Sequence, residues 1–290
     1  CDNGAVNEND TAVNTKNTSK INEYYKKAKQ NKRTPLKGIQ FIDSALTLSK
    51  LSTIDSLEIK CLAYKSNLLY KSKNYNVALV YADSLLQRAT YLKDTNYIAK
   101  AYFKKGYYNY RLNKNIKAFK YYGLSKAFYQ KLNDSSQVVG KLRLMSNLQK
   151  NLGDNALAKE LALEGLEFIK TNSIKRKSDL YGDLSIIKKE EKLYDKSLEY
   201  REKSIQLLIN KTENLTNKDS LKLLKFLNSK AVVYIKKGDF QKALELLKKI
   251  NTSPLLKLKE NIGTYATVLD NLGVVKGKIA NKKRGNNGFG

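Results

Sequence analysis

The sequence predicts an all-α chain built as a solenoid of antiparallel helix pairs, about six pairs plus a C-terminal helix. Three observations carry that prediction. A repeat of about forty residues runs through the chain, each unit holding a small residue at a fixed place. An Asp-Ser or Asp-Thr pair recurs some two dozen residues ahead of that small residue. No stretch sustains the polar–apolar alternation of a strand.

The small residues are Gly38, Ala78, Ala118, Ala158, Ser197 and Ala243, separated by 40, 40, 40, 39 and 46 residues. Three residues after each lies a large apolar or aromatic one: Phe41, Tyr81, Tyr121, Leu161, Tyr200 and Leu246. Rings also stand three residues before several of them, at Tyr75, Tyr194 and Phe240. Offsets of three, four and seven mark one face of a helix. This helix, the second of each pair, is helix B.

The polar pairs Asp55-Ser56, Asp94-Thr95, Asp134-Ser135 and Asp219-Ser220 fall 23 or 24 residues before their small residue, and Ser173 holds the same place before Ser197. Asp and Ser favour helix N-caps, because the side-chain oxygen accepts from an unpaired N–H of the first turn. Each unit is therefore read as cap, helix A, short turn, helix B. The turns are Lys73-Asn74, Asn113-Lys114, Gly153-Asp154 and Gly238-Asp239, with glycine suited to a left-handed helix end. Ser253 to Ala280 supplies a last helix-A pattern, with Ser253-Pro254 as its start. Its helix B belongs near Lys282, but residues 281–290 show no helical pattern and read as a disordered tail. Either the array is cut there or the last helix is its cap.

The run Gly238-Asp239-Phe240-Gln241-Lys242-Ala243-Leu244 resembles the inter-helix turn and helix B of the tetratricopeptide repeat. Gly106, twelve residues before Ala118, resembles that family's small helix-A residue, and Gly273 has the same character. The resemblance covers residues 20–280 and implies a right-handed superhelix. A period near 40 in place of 34 implies longer helices, and the family's terminal proline is missing. Small residues have a packing rationale too: helix B approaches helix A closely where Ala or Gly fits and Leu does not.

The chain begins Cys1-Asp-Asn-Gly, and residues 2–19 hold no aromatic, Leu or Ile. Such a segment buries too little apolar surface to fold, so residues 1–19 read as a disordered tether. A leading Cys with a polar tether resembles a mature bacterial lipoprotein. That resemblance implies acylation of Cys1, with the protein lipid-anchored in the cell envelope at the outer membrane or a periplasmic face.

Lys and Arg total 55 against 27 acidic residues, a formal net charge of +28. Forty-eight of the basic residues are Lys, and Asn and Tyr are abundant, a composition that genome bias also produces. Position is more informative. Residues 84–153 hold 14 basic residues against Asp94 and Asp134, with nine Tyr and three Phe, whereas residues 155–213 balance 12 basic against 11 acidic. The absence of histidine removes Ser-His-Asp and Cys-His catalysis and imidazole-bound zinc. Two cysteines make neither a zinc-thiolate site nor a disulfide framework. No acid–base pair, metal motif or cofactor motif stands out, so a non-enzymatic role is expected. Cys61 reads as a buried small residue inside a helix.

Tetratricopeptide arrays bind extended peptides on a concave face lined by helix A, and the resemblance assigns residues to such a face. Lys60, Asn67 and Tyr70 come from one unit; Lys100, Phe103, Tyr107, Tyr110 and Arg111 from the next; Arg143, Asn147, Lys150 and Asn151 from the third. Amides bind peptide backbone, Lys and Arg bind carboxylates, and Tyr supplies rigid contact area. The expected partner is a protein or peptide, with acidic groups favoured. Scarce arginine argues against nucleic acid, and the only membrane contact expected is the lipid anchor. Two other readings remain open: the input region of a longer signalling protein, and an adhesin for anionic surfaces.

Overall fold

The structure is a computed structural model and describes residues 8–169, 174–210 and 215–286. Thirteen α-helices, and no strand, occur among the described residues. They fall into two compact units, Cys1–Met145 and Ser146–Gly290.

The first unit contains α1 (Glu8–Gln30), α2 (Pro35–Leu51), α3 (Asp55–Lys71), α4 (Tyr75–Tyr91), α5 (Thr95–Arg111), α6 (Asn115–Lys131) and the start of α7 (Ser135–Asn151). From α2 to α7 every helix is 17 residues long. Each is joined to the next by three residues, so the chain advances in steps of twenty, two to a repeat. The middle residue of each connection has a positive φ: Thr53 at 51°, Lys73 at 63°, Lys93 at 53°, Asn113 at 57°, Asn133 at 53° and Gly153 at 88°. The third connecting residue donates its N–H to a carbonyl five positions back, as Asp94 does to Ala89 and Lys114 to Asn109, closing the helix end. Both kinds of connection, A to B and B to A, use this one turn.

Caps fall where the sequence put them in part. Asp94 and Asp134 accept from the backbone N–H of Tyr97 and Gln137 at 2.9 and 3.0 Å. Asp154 caps α8 in the same way, accepting from Leu157. Asp55 lies one residue inside α3, where it pairs with Arg88. Asp219 lies inside its helix, which Thr216 caps by accepting from the Asp219 N–H at 3.2 Å. Ser173 lies outside the described residues.

The second unit holds α8 (Asn155–Glu167), α9 (Ile174–Glu190), α10 (Tyr194–Ile209), α11 (Asn217–Lys237), α12 (Phe240–Asn251) and α13 (Ile262–Asn286). Two short 3-10 turns, Pro254–Lys257 and Lys259–Asn261, precede α13, so the last helix starts later than Ser253. α13 then runs unbroken past Lys282. Residues 281–286, expected in a disordered tail, continue the helix, whose C-terminal end gathers Lys282 and Arg284, cations suited to the negative end of its dipole. The tether is corrected likewise: α1 begins at Glu8, so residues 8–19 are helical. Ile21 and Ala28, both fully buried, anchor α1 against the array. Once that nucleus is fixed, each added residue gains a backbone hydrogen bond at little cost.

All six small helix-B residues are buried, five of them, Ala78, Ala118, Ala158, Ser197 and Ala243, at 0 % exposure. A matching column on helix A lies twelve residues earlier: Ser66, Gly106, Ser146, Ser185 and Ala231, all buried. The sequence had shown only Gly106 of this set. At two places a serine of these columns bonds across the pair: Ser146 Oγ donates to the Ala158 carbonyl at 2.7 Å, and Ser197 Oγ to the Ser185 carbonyl at 2.7 Å. One residue beyond the expected ring, the residue four after the small one is the true core position. It is Ile42, Ala82, Tyr122, Ala162, Arg201 or Leu247, none more than 2 % exposed. Arg201 is the exception in kind. It donates to the Gly182 carbonyl at 3.1 Å and stacks over the Phe226 ring at 5.0 Å, and burial lowers its pKa to about 10.

A Cβ built on Gly106 would lie 2.6 Å from Tyr122 Cδ1, whereas one on Gly273 of α13 meets nothing within 4 Å. Gly106→Ala is therefore expected to destabilise the protein by about 1–3 kcal/mol despite the better helix former. Gly273→Ala should stabilise it by about 0.5–1 kcal/mol, since only helix propensity changes. Urea unfolding of the two variants checks both signs.

Candidate peptide-binding face

Helix-A side chains of α3 and α5 meet in the first unit and build one continuous polar–aromatic surface. Tyr70 is its centre. Its ring stacks on Tyr108 at 5.6 Å and 16°, and lies 5.0 Å from Tyr107 and 5.6 Å from Tyr75. The Tyr70 hydroxyl donates to the Tyr107 hydroxyl at 3.0 Å, and burial with this neighbour raises the Tyr70 pKa to about 12. Arg111 lies over the Tyr75 ring at 5.6 Å and donates to its hydroxyl at 3.2 Å. Phe103 extends the array, stacking on Tyr107 at 5.9 Å, with the Lys141 ammonium of α7 over its ring at 4.2 Å.

Under this surface lies Lys104. Ala101, Lys104 and Tyr108 share one face of α5 at offsets of three and four, and all three are buried. The Lys104 ammonium donates to Asn67 Oδ1 on α3, and no carboxylate pairs with it among the described residues. Burial, reinforced by the like charge of Lys100, pushes its pKa down to about 7. Tyr108 donates to Ser66 Oγ at 3.2 Å and holds the two helices in register. Lys100 is half-buried, with its ammonium 4.4 Å over the Tyr97 ring.

The structure thus brings together Asn67, Tyr70, Phe103, Tyr107 and Arg111, with Lys100 next to them. It separates Lys60, which is exposed and borders a cavity facing α1. Tyr110 is half-buried on α5 and Arg143 half-buried on α7. Asn147, Lys150 and Asn151 belong to the second unit, where the Lys150 ammonium donates to Asn147 Oδ1 at 3.0 Å and Asn151 is exposed at the end of α7. Cys1 lies outside the described residues. Sequence reading missed Lys104, Tyr108, Ser66 and Lys141. For Lys104 the signal was present in its spacing from Ala101 and Tyr108.

On the opposite side, Lys65 bridges neighbouring repeats: its ammonium is 2.6 Å from Asp43 and 4.0 Å over the Tyr81 ring. Forty residues on, Lys105 does the same with Asp83 at 2.5 Å and Tyr121 at 4.6 Å. These lysines are committed to structure, which sets them apart from Lys100 and Lys104. No group of three or more His, Cys, Asp or Glu that could hold a metal occurs among the described residues, and no described helix is long and apolar enough to cross a membrane.

No protein-family model matches the chain, and no curated protein sequence does. Solved structures do. The apo form of RapI matches with a TM-score of 0.66 at 16% identity, covering 91% of this chain and 85% of that one. A tetratricopeptide repeat protein from Parabacteroides merdae matches with a TM-score of 0.57 at 13% identity, covering 89% and 99%. A signal-transduction ATPase with a tetratricopeptide repeat sensor, from Pyrococcus horikoshii, matches at 0.66 and 17% identity over 84% of this chain and 37% of that one. The chain has the helical-solenoid fold of tetratricopeptide-repeat proteins, as its repeat implied.

Lys104 makes a pH signature. Its folded-state pKa lies below the ordinary lysine value of 10.5, so the unfolded chain holds the extra proton between the two. The destabilisation it causes is full below about pH 7 and fades as pH rises towards 10.5. Lys104→Met should exceed wild type in stability by roughly 1 kcal/mol or more at pH 6, with the gap narrowing steadily to pH 10. Paired urea titrations at pH 6, 8 and 10 measure it.

Proposed function

We propose that the chain is a non-enzymatic binding scaffold that captures an extended, acidic segment of a partner protein on the α3–α5 face. The observation that supports this most is Lys104, a buried cation whose partner is a neutral amide, beside Lys100, which likewise pairs with no carboxylate among the described residues. A structural lysine at that depth would be matched by a carboxylate, as Lys65 and Lys105 are. An incoming carboxylate supplies the missing counter-charge. Tyr70 and Tyr107, fixed in place by the buried Tyr108, provide preordered contact area for apolar side chains, with little side-chain entropy left to lose. Asn67 is exposed and offers its amide N–H groups to a peptide backbone while its oxygen holds Lys104.

Membrane attachment through an acylated Cys1, and with it a place in the cell envelope, is a separate proposal that rests on the polar composition of the segment after Cys1. Mass spectrometry of the N-terminal peptide from native membranes tests it, and an unmodified cysteine removes it.

The binding face is tested with a peptide array of acidic, neutral and basic extended peptides carrying one aromatic residue. Acidic peptides should be retained, and Lys100→Glu combined with Tyr107→Ala should lower their affinity about ten-fold or more. Equal retention of basic and acidic peptides, or no loss in the double variant, contradicts the assignment.

A further inference from the structure

We propose that the first unit carries a second ligand site, a cavity between α1, α3 and α5 that takes a small organic anion with an apolar body, about the size of one acylated amino acid. The cavity has a volume of about 400 Å³ and is lined by Ile21, Asn22, Tyr25, Lys29, Leu57, Lys60, Cys61 and Tyr97. That volume lies within the range of small-ligand pockets. This site goes beyond the peptide-binding face and does not depend on it.

Its chemistry is one-sided. The lining holds two ammonium groups, two phenols, one amide and one thiol, and no carboxylate. Glu58, next in sequence to Leu57, is tied to Arg88 at 2.8 Å. Lys29 lies 4.7 Å over the Tyr25 ring, while the carboxylate nearest Tyr97, Asp94, is held by the Tyr97 backbone N–H at 2.9 Å as the cap of α5 and is not part of the lining. Burial raises the pKa of Tyr25 to about 12 and also raises that of Tyr97, so both hydroxyls stay protonated and act as donors at neutral pH. Burial raises Cys61 to about 12 as well, so the thiol is an inert floor and not a nucleophile. The half-buried rings of Tyr25 and Tyr97, with the edge of Leu57, form the apolar wall, backed by the fully buried Ile21. Donors and cations without acceptors of negative charge suit a carboxylate, and the wall suits its hydrocarbon part.

The repeat shows how the side chains differ at this place. Forty residues on, Asn22 is matched by Leu62 and Lys29 by Leu69, leucines 3 % and 7 % exposed that fill the corresponding positions between α3 and its neighbours. The first repeat replaces both fillers with polar side chains that are exposed at the rim. One repeat further on the same positions are Tyr102 and Asn109, so they vary along the array, and only in the first repeat are both exposed.

Isothermal titration of the whole protein at pH 7 with three probes tests the site: N-acetyl-phenylalanine, N-acetyl-leucine and 3-phenylpropionate, each beside its neutral amide. At least one acid should bind, about ten-fold or more tighter than its amide. Lys29→Gln with Lys60→Gln should cost about ten-fold, and Asn22→Trp, which covers the mouth from an exposed position, should abolish binding. Lys236→Gln with Lys237→Gln in the second unit should leave the affinity unchanged. Circular dichroism and thermal melts confirm that each variant is folded, with Asn22→Trp as the deciding variant if the lysine pair unfolds. Failure of all three acids to bind, equal binding of acid and amide, or wild-type affinity in Asn22→Trp overturns the proposal.

Discussion

The close approach of paired helices at two columns of small residues is the constraint on which the rest of the structure depends. Gly106 faces Ala118, Ser146 faces Ala158 and Ser185 faces Ser197, and Ser66 with Ala78 and Ala231 with Ala243 keep the same twelve-residue spacing, every one of them buried. At Gly106 the backbone is so near Tyr122 that even a methyl group does not fit. The serine hydroxyls of these columns are satisfied by carbonyls, of the facing helix for Ser146 and Ser197 and of its own helix for Ser66, so the polar group costs little inside the pair. Large residues then pack around this contact rather than through it. Tyr108 and Tyr122 reach full burial because the columns leave room beside them.

The second determinant is the common turn. Steps of twenty residues bring equivalent side chains to equivalent places, which is why Lys65 and Lys105 make the same bridge to Asp43 and Asp83. That regularity is maintained against a local cost, since Thr53, Lys73, Lys93, Asn113 and Asn133 all adopt a left-handed conformation that disfavours a side chain by about 1–2 kcal/mol. The nearest-neighbour packing of the repeats outweighs it.

Much of this was legible in the residues. The helix-B small column, the order of helix A and helix B, the six pairs with one further helix, and the caps at Asp94 and Asp134 were all readable, because each depends on local spacing. Three things were not. The left-handed turns at Thr53 and Lys93 carry no glycine to announce them. The early start of α1 depends on Ile21 and Ala28 anchoring a helix that then extends into polar sequence. The division of the lysines into structural and available groups depends on partners distant in sequence, as Asp43 and Asp83, each 22 positions from its lysine, show. For the same reason the helix-A offsets found Asn67, Tyr70 and Tyr107 but passed over Lys104, whose burial follows from the neighbouring helix.

These features separate two kinds of surface in the first unit. Lysines facing one side are locked into ion pairs between repeats, while those of the α3–α5 face meet only amides and rings. The whole division relies on the paired helices standing at one fixed distance. Hydrogen–deuterium exchange of Ala118→Leu measures that dependence most directly. The account predicts lost protection concentrated in α5 and α6, spreading to their immediate neighbours and sparing α1 and α2. Unchanged protection at α5 and α6, or a uniform loss along the chain, would contradict it.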